Sequence, residues 1–283
     1  MKHLDLDFNP IEDMDLFRIP RKTKGILKDG AQLVKGDTIG YVHGVPVLVR
    51  MDADVGGIAL LDDIYEMAIE HQWTAGGIRR ANTGTYYGAS FGTVEPLVLR
   101  RRYAVSRSLW SIENPELSLA LEESVWMGWR MLKRNAREYF DQVSTAPKAH
   151  PEWRIGKTPF TSGVINATVT LPYHRDRGNV ADTGSLMWIS RKMVKGGHLH
   201  IPELNIVVDC SHGALLAFYG EIFWHGVTLI NDTSRARAAR FSIVAYAKNK
   251  ILKAGTPEEE HRKEIELAAK HSELERDTVL KYD

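Results

Sequence analysis

The sequence predicts an α+β protein whose core is a double-stranded β-helix, or jelly-roll, with supporting helices packed on one face. Short β-rich runs separated by turn residues fill the chain from residue 164 to 248, and a long amphipathic helix precedes them. Many short strands at close spacing are typical of a sandwich or barrel. Histidine and aspartate at the strand ends offer metal ligands, and this combination favours the jelly-roll.

The N-terminal part of the chain is predicted to contain a hairpin and a helix. Residues 38–50 form two β-rich runs that are broken at His43-Gly44, which is typical of a hairpin. The apolar residues of 58–71 fall near one helical face, so this segment is predicted to be a helix. The glycine-rich segment 73–90 is predicted to be a loop, and 93–103 a strand.

The strongest helix signal runs from Pro115 to Val143. Asn114 suits the N-cap, and proline is well tolerated at the first helical position. Apolar residues recur at helical spacing, while the basic residues take the other side, which is predicted to face solvent rather than nucleic acid. Residues 144–160, with three prolines, are predicted to be a connection.

The segment 164–248 is predicted to supply the strands of the jelly-roll. The charged segment 256–271, with Pro257 at its head, is predicted to be a solvated terminal helix. These elements suggest an accessory region packed on the core (1–110), a unit of one helix plus the double-stranded β-helix (111–250) and a helical tail (251–283). The predicted strands are 164–171, 184–190, 199–201, 206–209, 214–219, 227–230 and 241–248.

Composition excludes several classes of protein. The net charge of +1 favours no particular partner, because nucleic-acid binding needs a local basic patch rather than a basic total. A single cysteine, Cys210, excludes a disulfide framework and a cysteine-based zinc module within the chain. The sequence start lacks a signal-peptide core, and we find no apolar run long enough to span a membrane. We therefore expect an intracellular protein, nuclear if the source is eukaryotic.

Two histidines and an aspartate carry the chemical signal. His174 and Asp176 are two residues apart, so on an extended chain their side chains point the same way. His225 lies downstream in a largely apolar segment, and Gly226 permits close approach of the backbone there. Alone, His225 is better explained as a core histidine bonded to backbone. Together the three match the two-histidine, one-carboxylate ligand set of non-haem iron(II) oxygenases.

Arg240 and Ser242 alternate on the last predicted strand, so they face one side. The planar fork of arginine pairs two N–H groups with two carboxylate oxygens. An ordinary strand salt bridge would explain Arg240 equally simply. With the three metal ligands upstream, we predict that the pair holds the far carboxylate of 2-oxoglutarate, and that the chain is a dioxygenase using Fe(II), 2-oxoglutarate and O2.

Other histidines compete for the metal. His198 and His200 also alternate on one strand, so a zinc-binding, cupin-like protein is an alternative. Because they lead into the turn at Pro202, we predict that both are surface or structural residues.

The segment His174-Arg-Asp-Arg-Gly-Asn179 resembles the His-Arg-Asp-x-x-Asn motif of the TET/JBP dioxygenases, which oxidise the methyl group of 5-methylcytosine or thymine in DNA. The spacing from His225 to Arg240 and Ser242 is also similar to theirs. So are Gly196-Gly-x-Leu-x-Ile-Pro-Glu-Leu204 and Cys210-Ser-His-Gly-Ala-Leu-Leu-Ala-Phe218, which resemble the middle of the catalytic core of short fungal and phage members. The resemblance spans roughly residues 162–248.

This resemblance implies specific roles. His174, Asp176 and His225 would be the iron ligands, and Arg240 and Ser242 the 2-oxoglutarate clamp. Asn179 would hydrogen-bond the target base, although Arg-Gly-Asn is equally typical of a turn. The family's second base-contacting histidine is replaced by lysine at position 248, and the cysteine-rich zinc-binding part of animal TET enzymes is absent.

A DNA substrate requires contacts to phosphates and to an extracted base. We predict Arg79, Arg80 and Tyr86 as substrate-binding residues, with Tyr87 and Phe91 as further aromatic candidates. Each taken alone is better explained as ordinary surface or core. The alternatives are the same chemistry on a small molecule or protein side chain, and an inactive jelly-roll that only binds DNA or a partner.

Overall fold

The computed structural model describes residues 1–12, 14, 18–71, 73, 87–231, 233, 235 and 237–279. Its α-helices are α1 (Thr23–Lys28), α2 (Val55–Glu70), α3 (Leu109–Glu113), α4 (Pro115–Asn135), α5 (Arg137–Ser144) and α6 (Pro257–Val279). Its strands are β1 (Lys2–Asp5), β2 (Gln32–Val34), β3 (Thr38–Val42), β4 (Val45–Asp52), β5 (Gly88–Val94), β6 (Ser106–Arg107), β7 (Ser162–Ala167), β8 (Ser185–Lys192), β9 (Lys195–Gly196), β10 (Leu199–Ile201), β11 (Ile206–Val208), β12 (Ala214–Phe218), β13 (Gly226–Val227), β14 (Ile230–Asn231) and β15 (Ala239–Tyr246).

These strands form a large sheet, a small sheet and a short ribbon. The large sheet has the order β1-β3-β4-β12-β8-β15-β7-β5-β6, and the small sheet the order β13-β10-β11-β2. The central strands β12 and β8 are antiparallel and buried along most of their length, so both faces of the large sheet are covered there. The predicted α+β double-stranded β-helix is confirmed.

The predicted hairpin of residues 38–50 is also confirmed. His43 and Gly44 both have positive φ, 49° and 77°, which is the turn geometry that suits the right-handed twist of two-residue hairpins. β4 continues the large sheet by pairing with β12, with Val49 opposite Ala217. The N-terminal region therefore supplies strands of the core sheet itself; the division into units at residues 110 and 250 stays a prediction.

The helices α2 and α4 pack on one face of the large sheet. A side chain at Gly128 of α4 would lie 2.9 Å from the Trp188 indole nitrogen, so glycine lets the helix approach β8 closely. Trp188 in turn donates to the Ser124 carbonyl at 2.7 Å. On β15, Phe241 points to this helical face and contacts Tyr65 of α2, with ring centroids 5.5 Å apart. The alternate residues of β15 therefore point to the opposite face.

Three predicted elements were wrong in detail. Residues 93–103 are not one strand, because β5 ends at Val94 before Pro96, which has no N–H to donate to a sheet. The first residues of β5, Gly88 to Ser90, were predicted as loop. The helix predicted over 115–143 is two helices, since the backbone breaks at the buried Ala136 with φ −131°.

The start of α6 is docked rather than freely solvated. Glu264 accepts hydrogen bonds from the backbone N–H groups of Tyr103 and Ala104 at 2.7 and 2.6 Å. Glu260 accepts from the N–H of Val105 at 2.8 Å. These carboxylates accept hydrogen bonds from backbone N–H groups that lie outside the sheet and have no partner strand. Within the described residues, no helix combines the length and apolar character needed to cross a bilayer.

Candidate metal and co-substrate site

Two histidines from distant parts of the chain are joined by their backbones. The N–H of His174 donates to the carbonyl of His225 at 2.9 Å, and the N–H of His225 donates to the carbonyl of His174 at 3.0 Å. This reciprocal pair forms an antiparallel bridge, which places the two side chains on the same side. The ring centroids are 4.3 Å apart.

Both imidazoles are oriented by backbone carbonyls. His174 Nδ1 lies 2.9 Å from the Pro172 carbonyl oxygen, and His225 Nδ1 lies 3.0 Å from the Phe223 carbonyl oxygen. A carbonyl oxygen can only accept, so each Nδ1 carries the proton and donates. Each Nε2 therefore keeps its lone pair, which is how metal-binding histidines are held.

Asp176 completes a group of three ligands. Its Oδ1 lies 3.6 Å from His174 Nε2, and its Oδ2 lies 3.8 Å from His225 Nε2. One ligand atom from each of the three residues lies within 4.8 Å of the others. Two nitrogens and one carboxylate at these separations fit a single iron(II) ion with its remaining positions open.

Gly220 makes room for this arrangement, and its role was not predicted. The N–H of Asp176 donates to the Gly220 carbonyl at 2.9 Å. A Cβ at position 220 would lie 2.5 Å from Asp176 Oδ2 and 3.3 Å from His225 Cε1. Any side chain there would displace the carboxylate. Its position directly after the buried strand β12 is the one signal in the sequence.

Glu203 ties together the residues that flank the two histidines, and sequence reasoning missed it too. Its side chain is fully buried. It accepts hydrogen bonds from Arg175 Nη2 at 2.8 Å, from the Trp224 backbone N–H at 2.7 Å and from the Ile11 backbone N–H at 3.2 Å. The Arg175 guanidinium also lies over the Trp224 ring, 5.1 Å from its centroid. One carboxylate therefore links the neighbours of His174 and His225.

We expect Glu203→Gln to weaken divalent-metal affinity by about tenfold, the lower range for loss of an outer partner of metal ligands. Glutamine keeps the size but has one acceptor oxygen for three donors, so the backbone at residue 224 loses its anchor. Titration of the metal-free protein with Mn²⁺ by calorimetry measures the effect. Glu152→Gln, at an exposed position, is the control. Equal affinities for the two variants would contradict this role.

Arg240 and Ser242 lie together on the sheet face opposite the helices, as their alternation predicted. Both are buried, with 1% and 3% of their surface exposed. Gly197 lets the arginine side chain pass, because a Cβ there would lie 2.7 Å from Arg240 Cδ. Asn166 on β7 donates from its amide nitrogen to Ser242 Oγ at 3.2 Å. The amide oxygen of Asn166 is buried and has no hydrogen-bond partner among the described residues.

The charges around Arg240 favour an anion. Arg191 stands directly opposite Arg240 on the neighbouring strand β8, and like charges in such a pair repel. Burial and the nearby Arg240 lower the pKa of Arg191, and burial raises the pKa of the Cys210 thiol. A dicarboxylate with one carboxylate beside Arg240 would relieve this repulsion. The residues present therefore fit 2-oxoglutarate.

Of the two roles predicted for His198 and His200, surface or structural, the structure shows the structural one. Burial lowers the pKa of each to about 4. His198 Nδ1 accepts from the Cys210 N–H at 3.0 Å, and His200 Nδ1 is hydrogen-bonded to the Tyr173 hydroxyl at 2.6 Å. Asp209 lies 3.5 Å from His198 Nδ1, but a nitrogen that accepts a hydrogen bond carries no proton for an ion pair. Both Nδ1 atoms are occupied by hydrogen bonds, which argues against the zinc alternative.

The structure describes only some of the predicted substrate-binding residues. Asn179 is buried just after a turn whose Gly178 has φ 87°, and it forms an isolated bridge with Lys248. The Lys248 ammonium lies 5.1 Å from the centroid of the Tyr246 ring. Arg79, Arg80 and Tyr86 lie outside the described residues. Tyr87 is exposed, whereas Phe91 is fully buried against Gly163 and belongs to the core.

The chain resembles known oxygenases. The family described as Tet_JBP, oxygenase domain of the 2OGFeDO superfamily, matches residues 103–249. NgTET1, solved in complex with 5mC DNA, has a TM-score of 0.57 at 13% identity, with 78% of this chain and 80% of that chain covered. A 2OG-Fe(II) oxygenase family protein from Burkholderia pseudomallei has a TM-score of 0.43 at 15% identity, covering 71% and 88% of the two chains.

The viral collagen prolyl hydroxylase vCPH from Paramecium bursaria Chlorella virus-1 has a TM-score of 0.39 at 12% identity, covering 71% of this chain and 94% of that chain. No curated protein matches the sequence. At these identities, the similarity to NgTET1 shows a shared fold.

Proposed function

Because the chain belongs to the Tet_JBP family of the 2OGFeDO superfamily, we propose that it oxidises the 5-methyl group of a pyrimidine in DNA. The base would be 5-methylcytosine, converted to 5-hydroxymethylcytosine and beyond, or thymine. The protein is a 2-oxoglutarate-dependent dioxygenase, and its cofactors are Fe(II), 2-oxoglutarate and O2. The single observation that carries the chemistry is the cluster of His174, Asp176 and His225, in which each Nδ1 atom donates to a backbone carbonyl.

We assign the residues as follows. His174, Asp176 and His225 hold the ferrous ion, which when bound supplies the activation of O2. Arg240 and Ser242 hold the far carboxylate of 2-oxoglutarate. In each turnover, 2-oxoglutarate and O2 give succinate and CO2, and one oxygen atom enters the C–H bond of the methyl group. The chain's own part is to orient the reactants and to shield them from water.

Two residues beside the metal site, Asn179 and Lys248, support a DNA substrate, and so does the family. Asn179 follows Asp176 by one turn, and its backbone N–H donates to the Asp176 carbonyl at 3.2 Å. We assign it to hydrogen-bond the base. Lys248, bridged to Asn179, carries an ammonium that only donates, so it suits the oxygen and nitrogen acceptors on a pyrimidine edge. Arg79, Arg80 and Tyr86 stay proposed DNA contacts.

The test is an oligonucleotide assay with Fe(II), 2-oxoglutarate and O2. We expect the nucleosides recovered from a methylcytosine or a thymine oligonucleotide to contain a hydroxymethyl pyrimidine by mass spectrometry. Succinate should appear in at least equal amount. Asn179→Ala should reduce product formation about tenfold, since a buried hydrogen bond to the base is worth roughly 1–3 kcal/mol. An unmethylated oligonucleotide without thymine is the substrate control.

Succinate formation without any modified base would contradict a DNA substrate while leaving the dioxygenase intact. Hydroxylation of a small molecule or a protein side chain would then be the remaining explanation. Conversely, a hydroxymethyl base on only one of the two oligonucleotides identifies the base.

A further inference from the structure

A basic groove lies on the helical side of the molecule. Five cationic side chains converge on a cavity of about 640 Å³: Arg130, Lys133, Arg134, Arg137 and Lys157. They come from α4, from α5 and from the connection that follows α5, and all five are exposed. The half-buried rings of Trp126 and Phe140 stand among them. Within the part of the chain that the structure describes, no acidic side chain lines the groove.

The groove is separate from the metal site. Its helix α4 packs on the face of the large sheet that also carries Phe241, as the Gly128–Trp188 contact shows. Arg240 and Ser242 alternate with Phe241 and therefore point to the other face. A ligand in the groove would lie with the sheet between it and the ferrous ion, so the residues of the groove have no part in holding the cofactors.

Helix electrostatics explain only part of this charge. Lys133 and Arg134 lie in the last turn of α4, where cations interact favourably with the helix dipole. Arg130 and Arg134, however, are four residues apart, where like charges destabilise a helix. Arg137 lies in the first turn of α5, where a cation is unfavourable. Lys157 belongs to neither helix and still lines the same cavity.

The cations are weakly compensated. Arg137 pairs with Asp141 at 2.8 Å, and Arg134 lies 3.5 Å from Asp54, both between exposed groups. Surface pairs of this kind contribute little, about 0–1 kcal/mol. Among the described residues, neither Arg130, Lys133 nor Lys157 forms an ion pair with a carboxylate. The groove therefore keeps a net positive charge that an anionic ligand would neutralise.

The aromatic rings identify the kind of anion. Lys133 and Arg137 approach the face of the Phe140 ring, with their charged groups 6.0 and 5.6 Å from its centroid. Trp126 lies one turn before Arg130 on α4. An acidic peptide needs only the cations, whereas a nucleic-acid strand also offers flat bases that stack on such rings.

We propose that the basic groove binds a single-stranded segment of nucleic acid, with its phosphates on the five cations and a base against Trp126 or Phe140. The proposal departs from the expectation drawn from the sequence, which was that the basic side of the helix faces solvent rather than nucleic acid. The proposal does not depend on which substrate the metal site oxidises.

The test measures binding of a fluorescein-labelled oligo-dA, a strand without methylpyrimidines, by anisotropy. The double variant Arg130→Glu/Lys133→Glu is compared with Arg262→Glu/Lys270→Glu, which changes the charge equally at exposed positions of α6. We expect the groove variant to bind at least tenfold more weakly, and its salt slope to fall by about 1.4, since two cations each account for about 0.7. The α6 variant should bind within twofold of the unchanged protein.

A second variant separates a nucleic-acid strand from other polyanions. Trp126→Ala should weaken oligo-dA about tenfold through lost stacking, and Trp126→Phe should restore most of the affinity. Binding of polyglutamate should not respond to either change. Equal affinities of the two charge variants for oligo-dA would overturn the proposal. So would a Trp126→Ala protein that still melts cooperatively and binds oligo-dA as before.

Discussion

Replacement of Asp176 by alanine is expected to abolish 2-oxoglutarate turnover. Asp176 is the sole carboxylate of the cluster, and it lies between the two imidazoles, 3.6 Å from His174 Nε2 and 3.8 Å from His225 Nε2. Alanine leaves two neutral nitrogens to hold a dication. Loss of an outer partner already costs about 10–100-fold in metal affinity, so loss of the charged ligand itself should cost more than 100-fold.

The measurement is succinate formation at saturating 2-oxoglutarate, together with Mn²⁺ affinity of the metal-free protein. Asp182→Ala, six residues downstream at an exposed position, removes the same charge and should retain normal succinate formation. The variant should still fold, because its Cβ leaves the Gly220 contact unstrained. An Asp176→Ala protein that forms succinate at more than a few per cent of the normal rate would remove this residue from the iron site.

Replacement of Arg240 by methionine is expected to raise KM for 2-oxoglutarate by at least 30-fold. Truncation of one partner in a buried charge pair costs about 2–5 kcal/mol, and Arg240 is 1% exposed. The KM of Arg240→Lys for 2-oxoglutarate should lie between those of the original protein and Arg240→Met, because lysine keeps the charge but lacks the planar fork of arginine.

Steady-state kinetics and thermal unfolding check this result separately. In the original protein, 2-oxoglutarate with Mn²⁺ should raise Tm, because a ligand that binds the folded state stabilises it; Arg240→Met should lose most of that rise. Arg237→Met is the matched control, since Arg237 is an exposed arginine nearby that pairs with Glu66 and Glu70. An unchanged KM in Arg240→Met would show that the co-substrate carboxylate lies elsewhere.

Much of the fold was predictable because its signals are local. The strand at 199–201 and the hairpin turn at His43-Gly44 follow from residue types within a few positions. The missed break in the long helix depends on packing between distant segments. The helix predicted over 115–143 divides at Ala136, and α5 then contacts β3 at Tyr41, whose hydroxyl donates to Glu138 at 2.9 Å. The spacing of apolar residues within the helix does not reveal this contact.

The candidate site was likewise predictable where its signals are local and was missed where they are not. Spacing of two along extended chain was sufficient to pair His174 with Asp176 and Arg240 with Ser242, since it depends on strand geometry alone. Glu203 and Gly220 were missed because neither has a distinctive neighbour in sequence. Glu203 acquires its role from a donor 192 residues away at Ile11 as well as from Arg175 and Trp224.

The sequence by itself determined which chemical groups the protein has and how they alternate on its strands: two histidines, a carboxylate, and an arginine–serine pair. Tertiary structure decided that they meet. The bridge between His174 and His225 arises only when segments about 50 residues apart pair. Hydrogen bonds of this kind form between backbones, so side-chain identity alone does not encode them.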